Sequence, residues 1–67
     1  MELTEAEKLL INGLKLFDVE LEDALGIMLL LNTEQMQYEM MLWMTENRQA
    51  TASDLIGKAM DIAATKN

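Results

Sequence analysis

The stretch LKLFDVELEDALGIMLLL, running from Leu14 to Leu31, decides whether the first half of the chain is one long helix or two short ones. Leu14, Leu21 and Met28 recur seven apart, interleaved with a second heptad row of Leu3, Leu10, Phe17, Ala24 and Leu31. That is the pattern of one continuous seam. Against it stand Asp18, a residue type that favours helix caps, and Glu20, Glu22 and Asp23, acids that the helix dipole favours in a first turn. Helices longer than about 25 residues are also uncommon in so small a domain. A break at 17–19 is therefore expected, with Asp18 capping a second helix over 19–31.

Outward from this stretch, helix punctuation recurs in both directions. Thr4 followed by Glu7 fits a capping box, in which each side chain satisfies an orphan backbone donor of the other residue. It opens a helix over 5–16, with Leu3, Ala6, Leu9, Leu10, Gly13, Leu14 and Phe17 on one face and Glu5, Lys8, Asn12 and Lys15 opposite. Asn32 and Thr33 supply a turn and a cap, with Gln35 as the capping-box partner of Asn32, before a helix over 34–47. Arg48, Gln49 and Ala50 form a loop. Thr51 with Asp54 then opens a helix over 52–64, whose apolar positions are Leu55, Ile56, Ala59, Met60 and Ala63. The expected fold is all-α: one domain spanning 1–67, a compact bundle of three or four short helices.

The second and third helices carry more apolar residues than one core face needs. The second offers Leu21, Ala24, Leu25, Met28 and Leu31 to the core, yet Ile27 and Leu30 are apolar on its other side. The third offers Met36, Met40, Trp43, Met44 and Asn47, with Tyr38, Met41, Leu42 and Thr45 facing away. A helix that is hydrophobic all round needs burial on both sides. The chain has 67 residues, and at that size a lone core supplies only about 3–5 kcal/mol. Homodimerisation is therefore expected to complete the bundle, with Ile27, Leu30, Tyr38, Met41 and Leu42 as interface candidates. The chain holds seven methionines, and their flexible side chains suit either core gap-filling or a surface that adapts to a partner.

Composition removes most chemistries. With no cysteine and no histidine, there are no disulfides, no thiolate or imidazole metal ligands and no Cys–His or Ser–His nucleophile. Acid pairs such as Glu20 with Asp23 read as solvated helix faces, and no acid lies on a core stripe where a carboxylate metal centre would need it. No catalytic, cofactor or metal site is expected. The formal charge is -7, and residues 16–47 contain no base, so duplex DNA and anionic membranes should repel the chain. The amino end is acidic where a secretory signal is basic, and the longest nonpolar run, Ala24 to Leu31, is far short of the about 20 residues a spanning helix needs. A cytoplasmic location is the expectation.

One resemblance bears on function. The segment from Tyr38 to Ala64, with Thr51-Ala-Ser-Asp-Leu-Ile after a helix and a short polar loop, resembles the opening helices of winged and helix-turn-helix domains. That resemblance implies a degenerate transcriptional regulator or accessory, although Lys58 and Lys66 are the only bases after Arg48 to meet nucleic acid. The acidic composition also admits a nucleic-acid mimic that inhibits a DNA-binding protein. A non-enzymatic, self-associating protein–protein interaction module is the function the residues favour.

Overall fold

The computed structural model describes residues 2–65; Met1, Asn67 and Lys66, the last of the five bases, lie outside them. Four helices account for most of the described residues: α1 (Glu5–Leu16), α2 (Leu21–Leu30), α3 (Glu34–Glu46) and α4 (Ala52–Thr65). No strand occurs among the described residues. The fold is an all-α bundle.

Local chemistry explains where each helix begins. At α1 the Thr4 N–H donates to the Glu7 carboxylate at 2.8 Å, and the Glu7 N–H donates to the Thr4 hydroxyl at 3.1 Å. Thr51 and Asp54 repeat this arrangement at α4, at 3.0 and 3.2 Å. The start of α3 differs from the sequence expectation. Thr33, not Asn32, is the N-cap and accepts from the Met36 N–H at 3.2 Å. The third helical position is therefore Met36, which cannot return the bond.

The break between α1 and α2 falls where the acids placed it, by a different device. Asp18 has φ 59 and sits in the left-handed region one residue past the helix cap Phe17. Its N–H donates to the Lys15 carbonyl at 3.0 Å, and the Val19 N–H donates to the Leu14 carbonyl at 3.2 Å. These two bonds make a Schellman motif, and the accompanying apolar pair is Leu14 and Val19, both buried in one cluster. Asp18 thus terminates α1 and does not cap α2. Glu20 holds that N-cap, without a side-chain bond.

Ala6, Leu10 and Leu14 of α1, Met36, Met40 and Met44 of α3, and Leu55, Ala59 and Ile62 of α4 fill the interior. Val19 and Leu31 close its ends. Trp43 is half-buried against this core, not at its centre, and Met60 points to solvent. Packing runs in a ring: α1 lies on α3, α3 on α4, and α4 on α2, with a thinner seam from α2 back to α1. Helices α2 and α3 are therefore diagonal to one another. The α1–α3 crossing is close at Gly13, where a Cβ would lie 3.0 Å from the Met44 methyl carbon, the far end of a flexible side chain.

The rotation of α2 is a correction to the sequence reading. Ala24, Ile27 and Leu31 face the core, with Ile27 only 1% exposed, while Leu21 and Leu25 point outward. Ile27 is thus a core residue and not part of a free outer row. Spacing three and four apart, Ala24, Ile27 and Leu31 share one side of the helix as well as the expected set does. A helix with apolar residues on several sides leaves the choice to its neighbours, and α4 packs against this one.

Among the described residues one polar side chain is buried. Gln37 is 4% exposed, and its Nε2 donates to the Leu31 carbonyl at 2.7 Å. That carbonyl lies at the C-cap of α2, where no helical N–H reaches it, so Gln37 joins the end of α2 to α3. The Gln37 Oε1 atom is buried without a partner among the described residues.

Candidate functional site

The surface of α2 is the least expected part of the molecule. Its exposed residues are Leu21, Glu22, Leu25, Gly26, Leu29 and Leu30: one acid and one glycine among four leucines. Leu21, Leu25 and Leu29, spaced four apart along one stripe, are 68%, 51% and 80% exposed, and Leu30 is 38% exposed. Among the described residues nothing within 4 Å would meet a Cβ on Gly26, so no contact among them calls for glycine there.

A second apolar feature lies between α1 and α3. Leu9, Gly13 and Leu16 of α1 with its cap Phe17, and Met41, Met44 and Thr45 of α3 with Arg48 of the turn that follows, line a groove of about 540 Å³. Arg48 is its only charged lining residue and makes no ion pair among the described residues. Leu16 stands almost free of its neighbours at the rim. Convergent apolar walls with one charged group are the usual make-up of a binding cleft.

The five candidates named from the sequence are scattered. Ile27 is internal, Leu30 borders the leucine stripe, and Met41 lies in the groove, while Tyr38 and Leu42 are exposed along the outer side of α3. Since α2 and α3 are diagonal, Leu30 and the Tyr38–Leu42 pair do not form one surface. Leu21, Leu25, Leu29, Leu9 and Leu16 were missed as surface residues. A signal existed for α2: placing Glu22 and Gly26 outward, four apart, puts Leu25 and Leu29 beside them.

A polar depression by the α3–α4 turn, walled by Trp43, Asn47, Ser53, Asp54, Lys58 and Asp61, brings together two acids and a lysine. Among the described residues no group of three or more Asp or Glu side chains is gathered as a metal site. Nor is any described helix long and apolar enough to cross a membrane. Compared with protein-family models, curated proteins and solved structures, the chain matches none. Functional inference therefore rests on these surfaces.

Proposed function

We propose that this chain is a non-enzymatic, acidic helical interaction module of the cytoplasm that associates with itself through apolar surface its own fold leaves uncovered. The observation that carries this reading is the leucine stripe of α2. The exposures of Leu21, Leu25, Leu29 and Leu30 together amount to more than two whole leucine side chains per copy. At about 1.5–3 kcal/mol per fully buried leucine, covering them releases roughly 4–7 kcal/mol per face. Association opposes this with about 4–15 kcal/mol of lost translational and rotational freedom. The balance is close, which describes a concentration-dependent contact, not a permanent one.

Sedimentation equilibrium across the micromolar range tests the reading. The apparent mass should rise above 7.6 kDa with concentration. Leu25→Glu, at an exposed position, should restore the monomer while leaving the helical circular dichroism intact. A wild-type chain that stays monomeric throughout would overturn it.

A further inference from the structure

We propose that the self-association is heterologous: the leucine stripe of α2 on one copy seats in the α1–α3 groove of a second copy. This rests on the self-association reading above and specifies its geometry. Three observations point to it. The stripe is convex and the groove concave, and both are apolar. Their charges are opposite: Glu22 lies amid the stripe, with partly buried Asp23 beside it, and Arg48 is the charged residue described in the groove lining. Finally, Gly26 lies on the stripe with open space where a Cβ would be, so another helix can approach α2 closely there.

Packing α2 against its own copy is the competing arrangement. It would bring together two Glu22 carboxylates and two acidic first turns, in a region that has no base between residues 16 and 47. Like charges across a contact oppose it, whereas the stripe-to-groove arrangement sets Glu22 against Arg48. Because stripe and groove are different patches, each copy offers one of each. Such contacts close into a ring when the rotation permits and otherwise continue as a chain of copies.

Mixing two crippled variants tests this directly. Leu25→Glu spoils the stripe and keeps the groove; the double variant Leu16→Glu with Arg48→Glu spoils the groove and keeps the stripe. All three positions are exposed, and circular dichroism and a thermal melt of each variant check that the fold is retained. Each alone should sediment as a monomer, and the equimolar mixture as a 1:1 heterodimer, because one intact stripe then meets one intact groove. A milder pair gives the charge contribution. Glu22→Arg or Arg48→Glu alone should weaken association by about two- to fivefold, the effect of a partly exposed ion pair, and the two together should recover most of it. If the groove variant self-associates as the wild type does, α2 packs on α2 and the proposal fails. It fails equally if both variants are monomeric and their mixture stays so. A wild-type chain that is itself monomeric overturns the underlying self-association reading.

Discussion

Asp18 holds the turn that separates α1 from α2, and substitutions there probe why the chain does not continue as one helix. Its φ of 59 lies in the left-handed region, where an L-residue loses roughly 1–2 kcal/mol to contact between Cβ and backbone, Asp and Asn suffering least. Its carboxylate makes no hydrogen bond or ion pair among the described residues, so replacing it forfeits no contact. Its negative charge also sits at the carbonyl end of α1, which the helix dipole disfavours by about 0.3–1 kcal/mol. Asp18→Asn removes only the charge and should stabilise by about that amount, less so in high salt. Asp18→Gly removes both the charge and the Cβ but gives the unfolded chain about 0.5–1 kcal/mol more entropy, for a net gain of about 0.5–1 kcal/mol. A β-branched residue finds no relief in this region, and Asp18→Val should lose about 1–2 kcal/mol. Urea midpoints at one fixed protein concentration measure the series, because the proposed association would make the midpoint concentration-dependent. Asp18→Val unfolding together with the wild type, or Asp18→Gly unfolding before it, would refute the left-handed turn and favour the unbroken seam.

The remaining predictions concern the interior and the helix surfaces. Gln37→Ala removes the 2.7 Å bond and strands the Leu31 carbonyl, a loss of about 1–3 kcal/mol that should lower the melting temperature by roughly 4–8 °C per kcal/mol. A melt unchanged by that substitution would show that α2 and α3 are not tied there. Gly57→Ala meets nothing within 4 Å and should stabilise α4 by about 0.5–1 kcal/mol. Gly13→Ala should gain less, since the Met44 methyl must yield to the new Cβ; equal gains in urea unfolding would contradict the close crossing of α1 and α3.

The legible parts of this fold were those fixed by short-range chemistry. The Thr4–Glu7 and Thr51–Asp54 boxes depend on residues three apart and needed no tertiary knowledge. The break near Asp18 was readable from the cluster of acids, while its mechanism was not, because a left-handed helix end usually announces itself with glycine. At α3 two candidate caps stood side by side, Asn32 and Thr33, and only the backbone chose between them.

The rotation of α2 was illegible for a physical reason. A helix with leucines on every side has nearly the same transfer free energy in several orientations, so the packing of α4 and α1 decides which leucines are left outside. The sequence pattern puts Ile27 outside and Leu21 and Leu25 inside, whereas Ile27 is internal and the two leucines are exposed. The surplus of apolar surface was nonetheless countable from composition, and Leu30, Tyr38 and Leu42 are on the outside as expected. Gln37 gave no signal, since its burial follows from the position of the Leu31 carbonyl across the bundle end.

The central claim is that the leucine stripe of α2 meets another copy of the chain. Methyl spectra of a leucine-labelled sample, recorded as protein concentration is raised, test it at the atoms concerned. The methyls of Leu21, Leu25 and Leu29 should shift progressively with concentration, and those of the interior Leu10, Leu14 and Leu55 should stay in place. Stripe methyls that do not move, while the sedimenting mass rises, would place the contact elsewhere and contradict the account.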